Sequence, residues 1–547
     1  MDKKWWTLIA VCTGTFMLLL DITVVNVALP DIQQSLHASF TDLQWVIDAY
    51  SLTLAAFLLT AGVVGDMFGR REIFAIGLGV FSVSSLVCGL STSVLMLNLS
   101  RGAQGLGGAI MFAISLALIA QAFQGRDRGT AFGIYGAVIG GAVAVGPLVG
   151  GIITSGIGWR WIFFVNLPIG VVAIFTTLTR IEESKDPNTR RIDWIGVISF
   201  SLSLFLLVFA LVRGNSEGWS STTIVGMLIG SGVLMVVFLV AELRQKDPML
   251  DLSLFRRPAM VGVSIACFAI SASIFAMFLY QTFYFQDVLG YSPLAAGVRF
   301  LPVTVLAFVV APVAGKLTVR VQSRYLMGLG LLLVSIGCLL MANTAADSTW
   351  TVLLPGFIVA GLGMGIANPV MASASVAVVP HERSGMASGS ANTFRQVGIA
   401  TGIAGLGAVY QSQIQSKTLS TLAGSASGHQ VIIQGGARLN RAITEGGVRQ
   451  LAANIPVPGV RHALLHAYQV GFTSTFNHLL IISTVVAFAG SVAAFALVRQ
   501  RDFVINQAFG PPGAAPTGGP RSGATAPAPA AAGPCGLTRF IGGADAR

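Results

Sequence analysis

A carboxylate sits inside an apolar run near the start of the sequence. The stretch Leu18-Leu19-Leu20-Asp21-Ile22-Thr23-Val24-Val25-Asn26-Val27-Ala28-Leu29-Pro30 closes a run that begins at Trp5. Such a run is long enough to cross a bilayer, which takes about 20 apolar residues. Placing Asp within it costs roughly 2.5–3.5 kcal/mol on insertion scales. Low dielectric disfavours the ionised form of a carboxyl, so a group held there can exchange a proton near neutral pH. Asp21 therefore reads as a proton or cation site facing the protein interior. The competing reading is a structural acid satisfied by Thr23, Asn26 or a neighbouring helix. A second intramembrane charge stands in Leu97-Asn98-Leu99-Ser100-Arg101-Gly102-Ala103-Gln104-Gly105. A cation there needs a partner, and Asp21 is the candidate, directly or through water. Otherwise Arg101 snorkels to the outer surface it lies near. Asp48, just over a turn inside the next apolar run, offers three readings. It attracts a cationic substrate, adds a second protonation site, or is an acid near water.

These residues sit in a chain of 547 residues that is 54% hydrophobic and only 10% charged. Its mean hydropathy is +0.77. Soluble domains are about 25% charged, so the composition is that of a polytopic membrane protein. The net charge of +11 is assigned to cytoplasmic loops rather than to nucleic acid, since no basic stripe is interleaved with aromatics. Cys12, Cys88, Cys267 and Cys338 fall in separate apolar runs, and Cys535 lies near the end. No metal or disulfide spacing is present, so neither a metal nor a cofactor is expected. The first apolar run is too long for a signal peptide and carries Asp21, so it reads as an uncleaved first helix.

Apolar runs predict an all-α protein with fourteen helices, near 6–29, 43–65, 73–91, 95–122, 130–153, 161–180, 193–212, 222–241, 259–282, 293–315, 325–343, 350–379, 390–411 and 473–498. Lys and Arg set the orientation. With the N-terminus inside, the inner segments hold Lys3, Lys4, Arg70, Arg71, Arg126, Arg128, Lys185, Arg190, Arg191, Lys246, Arg383 and Arg395 among others. The short outer loops hold only Arg160, Arg213 and, at a helix start, Arg299, so both termini are expected in the cytoplasm. An internal repeat recurs at one offset. Gly105-Leu106-Gly107 returns as Gly361-Leu362-Gly363; Gly129, Ala131 and Gly133 return as Gly385, Ala387 and Gly389; Gly146 and Gly151 return as Gly402 and Gly407. This shifts helices four and five onto twelve and thirteen, as two six-helix halves with two inserted helices would. The expected parts are a bundle over 1–180, the inserted pair over 181–257 and helices nine to thirteen over 258–412. A long extracytoplasmic loop over 413–472, a last helix over 473–500 and a disordered cytoplasmic tail over 501–547 complete them. The long loop reads either as a small fold or partner site, or as a flexible spacer.

Three motifs carry further meaning. In Gly62-Val63-Val64-Gly65-Asp66-Met67-Phe68-Gly69-Arg70-Arg71 the glycines permit a tight turn and close helix approach. Asp66 and the two arginines can form a charge latch that breaks when the halves rock. This stretch resembles the signature loop of the major facilitator superfamily. A worn copy keeps Gly315, Leu317, Arg320 and Arg324, with Val319 in the Asp66 place, so a one-sided latch is expected. The Arg101 segment resembles the family's second motif, whose arginine is implicated in proton transfer. Phe357 takes the Arg101 place in the second half. Gly146-Pro147-Leu148-Val149-Gly150-Gly151 resembles the motif associated with antiporters, with Ala142 where a glycine is usual. Asp21 to Pro30, Trp159 to Gly170, Asp193-Trp194-Ile195-Gly196, Arg299-Phe300-Leu301-Pro302 and Ala387 to Gln396 all look like the fourteen-helix drug:proton antiporter branch.

The resemblance, from about residue 5 to 500, implies two six-helix bundles plus two inserted helices. It also implies a proton-coupled exporter of amphipathic drugs, cationic ones included, across the cytoplasmic membrane. Proton coupling falls to Asp21, Arg101 and Asp48. Substrate contact falls to Asp21, Asn26, Asp48 and Tyr280, and gating to Gly62, Asp66, Gly69, Arg70, Arg71, Gly146 and Pro147. The aromatic residues Phe275, Phe278, Tyr280, Phe283, Tyr284 and Phe285 are expected mainly at lipid and interface. The partners are a small amphiphile, protons, the bilayer and an extracytoplasmic protein at 413–472. The energy source is the proton gradient. The alternatives are a dedicated exporter of one endogenous metabolite, siderophore or lipid, and, remotely, a non-transporting receptor or scaffold. No nucleotide loop, metal cluster or nucleophile elbow points to an enzyme.

Overall fold

A computed structural model describes residues 2–38, 40–184, 193–245, 248–424, 426–445 and 447–504. Lys185, Arg190, Arg191 and Lys246 of the basic pattern lie outside the described residues, as does the expected tail beyond 504. The first bundle comprises α1 (Lys3–Leu36), α2 (Phe40–Phe68), α3 (Arg70–Gly89), α4 (Val94–Ala122), α5 (Gly125–Gly156) and α6 (Asn166–Arg180). Next come α7 (Trp194–Glu217) and α8 (Thr222–Arg244). The second bundle comprises α9 (Pro258–Val288), α10 (Leu301–Leu317), α11 (Ser323–Met341), α12 (Leu354–Ala377), α13 (Ser384–Ala423) and α14 (Pro458–Leu497). Among the described residues, eleven helices are long and apolar enough to cross a membrane, and α10 is a shorter apolar helix. The glycine-rich α5 and α13 pack among them.

Local sequence explains the ends. Ser93 caps α4 by accepting the Met96 amide at 3.3 Å, and Asp193 caps α7 by accepting the Gly196 amide at 2.7 Å. Between α2 and α3, Gly69 has φ +119°, a conformation that L side chains avoid. Each bundle has its own apolar core, one around Phe74, Phe81 and Phe132, the other around Tyr284, Phe357 and Phe476. The bundles meet through α2 against α13, α5 against α10 and α12, and α4 against α13. In the added pair, α7 packs on α2 and α13, while α8 lies against α7 and stays mostly exposed.

One expectation is narrowed and one needs correction. The segment 413–472, read as a small fold or a flexible spacer, is largely helical in its described residues. α13 continues to Ala423, α14 already starts at Pro458, and helices Ala426–Glu445 and Val448–Ala453 fill the space between. Its Gly and Gln content hid this helicity, because long membrane helices can project past the apolar layer that the hydropathy pattern detects. Arg449 ties this region to the end of α9, donating to the Asp287 carbonyl at 2.7 Å and to the Val288 carbonyl at 2.6 Å. The α9 aromatics, in contrast to expectation, are not chiefly lipid-facing. Tyr280, Tyr284 and Phe285 are buried, and the Tyr284 ring lies 5.3 Å from that of Phe476. Two π-helical turns, Ser271–Phe275 and Tyr284–Val288, rotate α9 and bring these rings inward.

Candidate functional site

α1 carries Asp21 into the middle of the first bundle, where α4 brings Arg101 and Gln104 and α6 brings Asn166. The Arg101 Nη1 donates to Asp21 Oδ2 at 2.5 Å. The Gln104 amide donates to Asp21 Oδ1 at 2.9 Å, and the Asn166 amide to the same oxygen at 3.3 Å. Arg101 also donates to the Val46 carbonyl at 3.1 Å and to Gln104 Oε1 at 2.8 Å. Its guanidinium lies 4.3 Å over the Tyr50 ring. The Asp21 and Arg101 side chains are 1% and 2% exposed, so neither reaches solvent or lipid headgroups. The direct pair is thus formed, and Arg101 does not snorkel. In a low dielectric this pair holds only because further donors and acceptors satisfy both ions. A proton added to Asp21 would compete with Arg101 for the carboxylate, so protonation and pairing are alternatives. Gln104 sits one turn from Arg101, and its position on the same helix face was legible at i+3 spacing. Asn166, from the Trp159 to Gly170 stretch, carried no comparable signal.

Gly146 places α5 against this site. A Cβ there would overlap the Thr23 hydroxyl, two residues beyond Asp21, and one at Gly150 would lie 3.2 Å from the Val24 backbone. The antiporter-like motif therefore works here as a contact surface for α1. The side chains of Asn26 and Pro147 lie outside the described residues.

Asp48 is not a free acid. Arg213 of α7 approaches its Oδ2 at 3.4 Å, donates to Gln44 Oε1 at 3.1 Å and lies 4.9 Å over the Trp45 ring. Arg213 was expected in an outer loop; it is buried because α7 extends through Glu217. Tyr280 is buried too, but its hydroxyl donates to the Ile403 carbonyl at 3.0 Å and its ring packs on Tyr410.

The Asp66 latch joins the two bundles. Asp66 Oδ1 accepts from Arg70 Nη2 at 2.7 Å and from the Gly385 amide at 2.9 Å, and Oδ2 accepts the Met386 amide at 2.9 Å. These amides belong to the first turn of α13, which lacks a side-chain cap of its own. Arg70 reaches on to the Glu382 carbonyl at 3.1 Å. Arg71 takes no part in this contact. It faces Glu183 at 3.7 Å, and Glu183 in turn accepts the Arg71 and Glu72 amides at 3.0 and 3.1 Å. Beside the latch the backbones touch, since a Cβ on Gly62 would overlap the Gly385 carbonyl. Gly129 and Gly315 make the equivalent contact between α5 and α10, where Val319 replaces the acid.

A charge pair enclosed in helices, and two bundles with repeated glycine contacts, define a polytopic membrane protein of the carrier type. The chain belongs to the major facilitator superfamily, whose family model matches residues 11–403. It is 37% identical over 404 residues to "Multidrug resistance protein Stp" of Mycobacterium tuberculosis, covering 74% of this chain and 75% of that protein. It is 34% identical over 416 residues to the "Tetracenomycin C resistance and export protein" of Streptomyces glaucescens, covering 75% and 77% respectively. The "Puromycin resistance protein pur8" of Streptomyces alboniger is 35% identical over 444 residues, covering 79% and 88%. In fold, the chain resembles the human organic anion transporter MFSD10, with a TM-score of 0.59 at 14% identity over 89% of this chain and 100% of that one. The proton:xylose symporter XylE gives 0.54 at 15% identity over 88% and 94%.

Proposed function

We propose that the protein is a proton-coupled antiporter that exports amphipathic drugs or toxic compounds across the cytoplasmic membrane, with fourteen crossings and both termini inside. The observation that carries this reading is the buried Asp21–Arg101 pair at 2.5 Å. The printed names of the relatives support drug export, and the positive-inside pattern supports the orientation.

A proton reaching Asp21 removes its charge and frees Arg101, which retains the Val46 carbonyl and Gln104. Movement of α1 then acts on α5 through Thr23 and Gly146, and α5 meets the second bundle at Gly315. Opening the cytoplasmic end requires Asp66 to leave the Gly385 and Met386 amides. Export follows if substrate and proton favour opposite arrangements, each lowering the other's affinity by the same factor. Each net positive charge moved inward gains roughly 2.3 kcal/mol per 100 mV.

The test is substrate-driven proton release from inverted vesicles bearing the purified protein, wild type beside Asp21→Asn. Dissipation of the gradient by several amphiphiles, abolished in the variant, is expected. Responses unchanged by Asp21→Asn would remove the coupling role of this residue. A response to a single compound would instead identify a dedicated exporter.

A further inference from the structure

The most informative charge outside the site above is Arg395. Its sequence stretch placed it with the inner, positive-inside arginines. It lies instead in the twelfth position of α13, about 16 Å along the axis from the first residue at 1.5 Å per residue. There it lines a cavity between the bundles. Leu116, Tyr135 and Ile139 contribute from the first bundle, and Cys267, Asn368 and Arg395 are among those from the second. With about 10 Å³ for the centre of a water molecule, the cavity has room for about one water in this closed arrangement.

Three features make this a built site. First, its formal charge is positive: no lining residue is acidic, and among the described residues no carboxylate lies within 4.0 Å of Arg395. The guanidinium is held by a neutral acceptor, the Asn368 Oδ1. Second, the Tyr135 hydroxyl is buried beside the Thr15 and Ser115 hydroxyls without a well-aligned partner. Third, the charge sits where the repeat would bring like to like. The register that sets Gly129 on Gly385 sets Ile139 on Arg395, and both line this cavity. An apolar side chain and a cation thus face one space at the junction of the two halves. An ionisable residue inside the membrane marks a substrate or ion pathway by default. Arg101 and Arg213 show the contrast, each answered by an aspartate of the protein itself.

We propose that Arg395, positioned by Asn368, binds an anionic group of the exported amphiphile, a carboxylate or phenolate, with the Tyr135 hydroxyl as a second donor. This deepens the export reading and rests on it. The Asp66 contact closes the cytoplasmic end, and its release would open the cavity to that side. The apolar residues Leu116, Ile139 and Met371 would then take the hydrophobic body of the substrate.

The probes are two dyes on one xanthene skeleton, anionic fluorescein and cationic rhodamine 123. Their anisotropy is followed during titration with purified full-length protein in nanodiscs, without a proton gradient. Wild type is expected to bind fluorescein more tightly than rhodamine 123. Arg395→Gln should weaken fluorescein at least tenfold and rhodamine 123 less than twofold, with Arg395→Lys in between. Asn368→Asp, which supplies a counter-ion at nearly unchanged volume, should weaken fluorescein and strengthen rhodamine 123. Equal losses of both dyes in Arg395→Gln, a preference of wild type for rhodamine 123, or no fluorescein binding would overturn the assignment. So would complete displacement of fluorescein when chloride replaces gluconate, which would make the occupant an inorganic anion. Proton release from vesicles is read separately. Its absence in wild type would defeat the export reading, whereas a normal proton response with unchanged charge preference in Arg395→Gln would defeat only the anchor.

Discussion

Asp66 and Gly385 meet across 319 residues of chain, the carboxylate of one accepting the backbone amide of the other at 2.9 Å. The acid at the end of α2 thereby caps the first turn of α13. Helix N-termini favour negative charge because their first amides have no partner and the peptide dipoles point there. The contact fixes the closed end of the interface with one buried group, itself balanced by Arg70.

Asp66→Ala should therefore do more than remove an ion pair. It leaves Arg70 buried without its carboxylate and α13 uncapped, and losing one partner of a buried pair costs about 3–5 kcal/mol. Hydrogen exchange at Gly385 and Met386 is expected to rise at least tenfold. Asp66→Asn, which keeps one acceptor oxygen, should fall between. Exchange unchanged in Asp66→Ala would show that the contact does not hold this end closed.

The glycine contacts predict a symmetric result. Alanine at Gly62, Gly385, Gly129 or Gly315 would push a methyl into the facing backbone. Overpacking of this kind costs about 1–3 kcal/mol, here charged only to the closed arrangement. Each variant should favour separation of the bundles at this end in spin-label distance measurements. Gly151→Ala and Gly405→Ala, with nothing within 4 Å, serve as controls that should not.

The Asp21–Arg101 pair should show strong coupling in a double-mutant cycle. Arg101→Gln alone strands a buried carboxylate, and Asp21→Asn alone strands a buried guanidinium. The double variant strands neither, so its loss of thermal stability should be smaller than the sum of the two by about 1–3 kcal/mol. Proton coupling should stay absent in all three. Additive losses of stability would mean that the pair is not a unit.

Asp48 and Arg213 should behave alike. If their role is to dock α7 on α2, Asp48→Asn and Arg213→Gln will both lower stability, and neither will change dye charge preference. A selective loss of cationic substrates in Asp48→Asn alone would restore the substrate role expected from sequence.

Asp251, in the connection from α8 to α9, gives a pH dependence outside the membrane. Partial burial works to raise its pKa, but hydrogen bonds from Ser253 and the Arg383 guanidinium at 2.6 Å outweigh it and hold the carboxyl below its ordinary range. A depressed folded-state value contributes stability above the unfolded pKa, about 3.9 for Asp, and loses it as pH falls through the folded value. Arg383→Gln should lower the melting temperature at pH 6 to 8, and the difference from wild type should shrink below about pH 4. A difference constant across that range would place the effect in packing.

Much of this protein was written in its sequence. Apolar run lengths set the helices, because the bilayer fixes how much chain must be apolar. Asp21, Arg101 and Asp66 stood out because charge in such runs is costly, and the offset from Gly129 to Gly385 marked the repeat because backbone contact tolerates only small residues. What the sequence left open was partnership. Whether Asp21 met Arg101 or Thr23, and whether Asp48 was free, depended on how α4 and α7 turn against their neighbours. That is set by packing between segments far apart in the chain. Depth was similarly hidden: Arg213 read as a loop charge and Arg395 as one of the inner, positive-inside arginines, because hydropathy averages over a window and cannot see a buried partner or cavity. The tertiary structure decided these points, because an ion is affordable inside a membrane only where other helices bring the groups that satisfy it.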